Sequence, residues 1–173
     1  NKASAESRVL LSTISGSGAN KDFNGLIKIL GDTGHSISLI AFGFPNRFER
    51  TECGGRVQIF SPGRRESNQI GMIIARSHLF VFHSLSEGYG RPLIEALMVG
   101  QKVLASYVSP SIDFVTTQAL KNLRVYNNSC EFRAMMDELL QFTPATIEAD
   151  QVLTYNKSNV VKTLSQQLGL ENA

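Results

Sequence analysis

The chain has 173 residues, of which 42% are hydrophobic and 18% charged, and its formal net charge is +2. This composition is typical of one globular domain and excludes a disordered or fibrous chain. The charge is too small to indicate a nucleic-acid or acidic-membrane partner. With two cysteines, no signal-peptide pattern and no apolar run of about 18 residues, we expect a reduced, cytoplasmic setting.

The first half of the chain alternates strand-like and helix-like patterns. After a flexible lead-in at 1–7, the leucine-rich and β-branched run at 8–14 predicts the first strand of a domain that extends over 8–173. Apolar residues at helical spacing predict a helix over 21–30, with Asn20 as its cap. The next predicted elements are a strand at 36–42, a polar loop at 43–55, a strand at 56–60 and a helix at 66–77.

The second half continues the alternation. Residues 78–84, HLFVFHS, form a continuous apolar run that is typical of a central parallel strand covered on both faces. The other predicted elements are a helix near Pro92, strands at 102–106 and 123–126, and helices at 109–120, 130–142 and 159–168. This alternation predicts an α/β fold with a doubly wound, parallel, Rossmann-like sheet. In such sheets ligands bind at the carboxyl ends of the strands.

The stretch SEGYGRPLIEAL follows the central strand directly. Gly88 and Gly90 allow close approach of the backbone to a ligand, and Pro92 suits the first position of a helix. The free N–H groups at that helix start favour an anion such as phosphate. Glu87 and Glu95 flank this point and can accept hydrogen bonds from hydroxyl groups. A nucleotide sugar has hydroxyls on both sides of its phosphates and fits this pattern.

Residues 80–106 resemble the signature of retaining glycosyltransferases of family four, in the C-terminal domain of the GT-B fold. That signature has a glutamate, seven residues and a second glutamate, with glycine-aromatic-glycine and proline between them. The matching residues are Glu87, Gly88, Tyr89, Gly90, Pro92 and Glu95. The resemblance implies a domain that binds a UDP- or GDP-linked sugar without a metal cofactor. The enzyme would transfer a hexose to a glycan or lipid-linked acceptor, as in polysaccharide biosynthesis.

In that family a separate N-terminal domain binds the acceptor. The resemblance therefore implies that this domain is a partner within the same polypeptide and that the present chain alone is an inactive fragment. It also allows the full-length protein to lie peripherally at the inner face of a membrane.

The resemblance also implies roles for single residues. Glu95 would bind the ribose hydroxyls, Glu87 the donor sugar near the reacting carbon, and Lys21 the leaving diphosphate. The diphosphate and sugar would lie against the backbone around Tyr89, Gly90, Arg91, Pro92 and Leu93. The base would lie against the turn formed by Ser61, Pro62 and Gly63.

Two departures from the family pattern keep an alternative open. Lys102 stands where the family usually has a proline, and the arginine that often precedes the family's lysine is missing from STISGSGANK. Arg64, Arg65 or Arg91 could replace that arginine. The alternative is a non-catalytic module that binds nucleotide sugars or another partner with the same fold.

Other site types are disfavoured. The segment GSGANK lacks the third glycine of a dinucleotide fingerprint, and no acidic residue ends the second strand. His83 beside Ser84 lacks a G-x-S-x-G elbow, which favours a structural histidine. His35 and His78 have no partners at metal-ligand spacing. The arginines between 47 and 65 alternate with glutamates, which favours a solvated loop face over a binding patch.

Overall fold

The computed structural model describes residues 8–15, 18–87, 90–107 and 120–141. Within these ranges, the strands are β1 (Val9–Ile14), β2 (Ile37–Phe42), β3 (Arg47–Glu52), β4 (Val57–Pro62), β5 (Leu79–Phe82), β6 (Val103–Ser106) and β7 (Leu123–Tyr126). The α-helices are α1 (Phe23–Asp32), α2 (Ser67–Arg76), α3 (Arg91–Met98) and α4 (Ser129–Gln141). The helices predicted at 109–120 and 159–168 lie outside the described residues.

The strands form one sheet in the order β3-β4-β2-β1-β5-β6-β7. Every pair is parallel except β3 with β4. All four residues of β5 are buried, as expected for a central strand covered on both faces. The predicted doubly wound, largely parallel α/β sheet is confirmed.

Apolar residues of the strands alternate between two separate cores, because successive side chains point to opposite faces of a sheet. Leu79 and Val81 of β5 belong to the core that is covered by α1 and α4. Phe80 and Phe82 belong to the core that is covered by α2 and α3. The two layers of helices cover the faces of the sheet and leave the ends of its strands uncovered. The end at which the parallel strands finish is called the carboxyl edge below.

The prediction of a loop over 43–55 is wrong. Arg47–Glu52 pairs antiparallel with β4 over six residues and forms one edge of the sheet. The charged side chains of this segment are typical of a loop. They are also common on exposed edge strands, where they prevent pairing with another chain. Phe48 supplies the apolar contact of the strand, with its ring centroid 5.1 Å from that of Phe44.

Three local predictions also need correction. Asp22, not Asn20, caps α1, since its Oδ1 accepts a hydrogen bond of 3.1 Å from the Gly25 amide. The strand predicted at 56–60 extends through Ser61 and Pro62, so the turn begins only at Gly63, whose φ is +73°. Helix α3 begins at Arg91, which places Pro92 at its second position, where a missing N–H is still tolerated.

Candidate functional site

The loops that follow β1, β2, β4 and β5 emerge at the carboxyl edge of the sheet. Because β1, β2, β4 and β5 are mutually parallel, the segments that follow them lie at one edge. Lys21 follows β1, Gly63 follows β4, and Glu87 follows β5. Helix α3, which carries Glu95, begins shortly after Glu87. The fold therefore brings the predicted site residues to the same edge from distant parts of the sequence.

Lys21 and Glu87 are in direct contact. The Lys21 ammonium forms an ion pair with Glu87 Oε1, and the two side chains are only 19% and 13% exposed. Ser84 Oγ lies 3.0 Å from the same carboxylate oxygen and 2.7 Å from the Asn20 carbonyl, and its single proton can donate to either acceptor. Burial lowers the pKa of Lys21 below its ordinary value of 10.5. The contact joins two residues that sequence analysis assigned to different parts of one ligand.

Hydrogen bonds hold the two loops together around this ion pair. The Asn20 carbonyl accepts bonds of 2.7 Å from both Ser84 Oγ and the Leu85 amide. The Asn20 side chain donates to the Ser86 carbonyl at 3.1 Å. The Lys21 backbone is thus fixed to the loop that carries Glu87.

Gly90 is the N-cap residue of α3. Its φ of +68° lies in the left-handed region that favours glycine. The Leu93 amide donates to the Gly90 carbonyl at 2.9 Å, and the Leu93 side chain is fully buried in the core. Both the amide and the side chain of Leu93 are therefore engaged within the fold. Arg91 is exposed, and Gly88 and Tyr89 lie outside the described residues.

Glu95 lies on the exposed side of α3 and lines a cavity of about 400 Å³ between α2 and α3. Gly63 lines a second cavity, of about 650 Å³, between the loops that follow β2 and β4. Ile70 lines both, so the two cavities are neighbours. Neither cavity is lined by Lys21 or Glu87.

Ser61 and Pro62 line neither of these cavities. Ser61 is fully buried, and its Oγ accepts from the Gly63 amide and donates to the Asn46 carbonyl, each at 3.3 Å. Ser61 therefore shapes the turn at Gly63. Arg64 and Arg65 do line the larger cavity.

Sequence analysis missed several residues of this edge. Ser84 and Asn20 position Glu87 and Lys21, and the segment from Phe42 to Pro45 forms one wall of the larger cavity. Their common signal is their place immediately after a parallel strand or at the start of the helix that follows it, where side chains meet a bound ligand.

The described ranges contain no group of three or more histidine, cysteine, aspartate or glutamate residues that could hold a metal ion. Among their helices, none is long and apolar enough to span a bilayer.

A family model described as "Glycosyl transferases group 1" matches residues 5–170. The chain belongs to this family of glycosyl transferases. The match covers nearly the whole chain and confirms that residues 80–106 resemble a glycosyl transferase signature. A search of curated protein sequences returned no match.

Solved structures of similar fold include several glycosyltransferases. WaaG, involved in lipopolysaccharide biosynthesis, is 14% identical with a TM-score of 0.58, over 90% of this chain and 43% of its own. The catalytic domain of cholesterol-α-glucosyltransferase from Helicobacter pylori is 18% identical with a TM-score of 0.58, over 90% and 99%. Anabaena HepE in complex with UDP is 18% identical with a TM-score of 0.62, over 92% and 49%. This chain thus spans less than half of the length of WaaG and of HepE.

Proposed function

We propose that this chain is the donor-binding domain of a retaining glycosyltransferase that uses a UDP- or GDP-linked hexose. The acceptor would be a glycan or a lipid-linked molecule, bound by an N-terminal domain of the same polypeptide. The observation that carries the proposal is the meeting of Lys21 and Glu87 at the carboxyl edge, beside the start of α3. The HepE structure, which holds UDP in the same fold, supports it.

The chemistry that we assign to this edge is stabilisation of the leaving nucleoside diphosphate. Negative charge develops on the diphosphate as its bond to the sugar breaks, and preorganised positive groups lower the barrier to that step. The Lys21 ammonium and the positive end of the α3 dipole are such groups. Glu87 balances the charge of Lys21 in the ion pair. A bound diphosphate would take over that partnership and leave Glu87 free to accept from a sugar hydroxyl.

We place the nucleoside in the adjoining cavities. Glu95, exposed in the smaller one, would accept hydrogen bonds from the ribose hydroxyls. The base would lie in the larger one, against Gly63 and the loop that follows β2.

A departure of this sequence from the family pattern favours a second candidate, a non-catalytic nucleotide-sugar-binding module. It rests on the missing arginine before Lys21, which would leave less positive charge for the leaving group.

The proposal is tested by calorimetric titration of the 173-residue chain with UDP, GDP, uridine and guanosine. We expect one diphosphate to bind, and Lys21→Ala to weaken it about tenfold to a hundredfold, since a hydrogen bond to a charged group contributes about 1.5–3 kcal/mol. Binding of the matching nucleoside should change little. Lys28→Ala, which removes an exposed lysine of α1, is the matched control and should bind as wild type does.

Binding of none of the four compounds, or an equal loss for the diphosphate and its nucleoside, would overturn the assignment. We also expect the chain alone to transfer no sugar, because its site lacks the acceptor domain and stays open to water. Robust transfer by the chain alone would contradict the two-domain proposal.

A further inference from the structure

His83 is a buried side chain at the carboxyl end of β5, and only 7% of it is exposed. Its Nδ1 lies 2.5 Å from the Tyr126 hydroxyl at the end of β7. Its Nε2 lies 3.6 Å from Asp22 Oδ2 and has no hydrogen-bond partner among the described residues. A buried ring nitrogen that faces a carboxylate across this gap needs an explanation beyond core packing.

The proton positions in this group follow from simple chemistry. Burial raises the pKa of the Tyr126 phenol, so the hydroxyl keeps its proton and can donate it to Nδ1. Burial also lowers the pKa of His83, which favours the neutral imidazole. A neutral imidazole that accepts at Nδ1 carries its proton at Nε2. That N–H then points toward the Asp22 carboxylate.

Asp22 follows Lys21 directly in the chain, and Lys21 is the residue that we assign to the diphosphate. Its backbone is left-handed, with a φ of 36°, a conformation that a non-glycine residue keeps only when its surroundings hold it. One carboxylate oxygen of Asp22 caps α1 through the Gly25 amide, and the other faces His83. On the other side of Lys21, the Asn20 carbonyl is held by Ser84. His83 and Ser84, which follow β5 directly, therefore face the two neighbours of Lys21.

We propose that His83 is a positioning residue of the donor site, which holds Asp22 through its Nε2–H and so fixes the Lys21 ammonium where a diphosphate binds. This inference rests on the proposed function for the role of Lys21. It gives the buried imidazole a role in ligand affinity that a histidine merely filling the core would not have.

The test compares two substitutions of similar shape. In His83→Gln the amide nitrogen reaches about as far as Nε2 and can still donate to Asp22, whereas His83→Asn reaches only the Nδ1 position. Titrated with UDP or GDP, whichever the wild type binds more tightly, His83→Gln should bind within about twofold of wild type. His83→Asn should bind about fivefold or more weakly, a loss in the range of coupling between contacting residues. In a Lys21→Ala background, His83→Asn should have no further effect.

Two results would overturn the inference. If His83→Gln binds as weakly as His83→Asn, the donor at Nε2 is not what matters. If His83→Asn weakens the Lys21→Ala protein by the same factor as wild type, His83 does not act through Lys21. Thermal unfolding of each variant identifies a protein that fails to fold. If His83→Asn does not fold, the position of the imidazole proton in the wild-type protein decides the question.

A spectroscopic measurement keeps this inference separable from the proposed function. Long-range ¹H–¹⁵N spectra of the three histidines, with His83 assigned by its variant, should show the Nε2–H tautomer for His83. A proton at Nδ1 would overturn the inference whatever the affinity for UDP or GDP. Absence of binding by the wild type, with the Nε2–H tautomer present and its ¹⁵N shift altered in Asp22→Asn, would contradict the proposed function and leave the His83–Asp22 contact standing.

Discussion

Lys21 and Glu87 are separated by 66 positions in sequence and meet at the carboxyl edge. Glu87 could be predicted as a site residue, because the spacing to Glu95 across glycines and a proline is specific. The contact between Glu87 and Lys21 could not be predicted from sequence, because it depends on how the loops after β1 and β5 approach each other. The same limit explains the wrong cap: both Asn20 and Asp22 suit a cap by type, and Asn20 is instead held by the loop after β5.

The Lys21–Glu87 ion pair makes a specific prediction for Glu87→Gln. The diphosphate of a ligand must compete with the Glu87 carboxylate for the ammonium, so removing the carboxylate charge should favour the ligand. We expect affinity for UDP or GDP to rise about two- to fivefold, as for an ion pair that contributes up to about 1 kcal/mol. Discrimination between sugars of the matching donor should be lost. The measurement is calorimetric titration with the diphosphate and two of its sugar conjugates.

Glu52→Gln is a suitable control for this variant, because it removes a carboxylate paired with Arg50 on the edge strand. It should leave affinity unchanged. A loss of diphosphate affinity in Glu87→Gln as large as that in Lys21→Ala would contradict the competition between carboxylate and diphosphate.

Among the secondary-structure elements, those with a clear apolar pattern could be predicted from sequence. Strand β5 is apolar throughout because both of its faces are covered, and α4 shows a helical period because one face packs on the sheet. Strand β3 could not be predicted, since an edge strand that is exposed on one side needs few apolar residues. Its partner β4 decides its conformation, and pairing between strands is not visible in the local sequence.

The packing of α1 against the turn Cys53–Gly55 predicts the effect of Gly31→Ala. A Cβ on Gly31 would lie 2.3 Å from Cys53 Sγ and 2.8 Å from Cys53 Cβ, which is closer than packed atoms allow. We expect a loss of about 1–3 kcal/mol in the free energy of unfolding, measured by urea denaturation. Adding Cys53→Gly should recover part of that loss, because it removes both atoms and suits the positive φ of 54° at this position.

Gly71→Ala in α2 is the matched control, since a Cβ there meets nothing within 4 Å. It should stabilise the protein by up to about 1 kcal/mol through the higher helix propensity of alanine. If Gly31→Ala and Gly71→Ala have the same free energy of unfolding, α1 does not pack against the turn as closely as described.

Across the whole molecule, the order of the strands arranges the candidate site along one line. The central strands β1 and β5 lead to Lys21 and Glu87, and the outer strands β2 and β4 lead to the larger cavity. The smaller cavity with Glu95 adjoins that one at Ile70. Sequence could predict the parallel sheet and its carboxyl edge, since both follow from alternation. Sequence could not predict the two cavities, because their walls come from α2, α3 and the loops after β2 and β4.

The most direct test of the central claim, that a nucleotide sugar binds along this edge, is titration of the Glu95→Ala protein with a nucleoside diphosphate and with its sugar conjugate. Glu95 would serve the ribose that both ligands share, so both affinities should fall together, by about tenfold to a hundredfold. Glu49→Ala, which removes an exposed carboxylate of β3, should bind both ligands as wild type does. A Glu95→Ala protein that binds both ligands as tightly as wild type would show that Glu95 is only a surface carboxylate and would contradict the account.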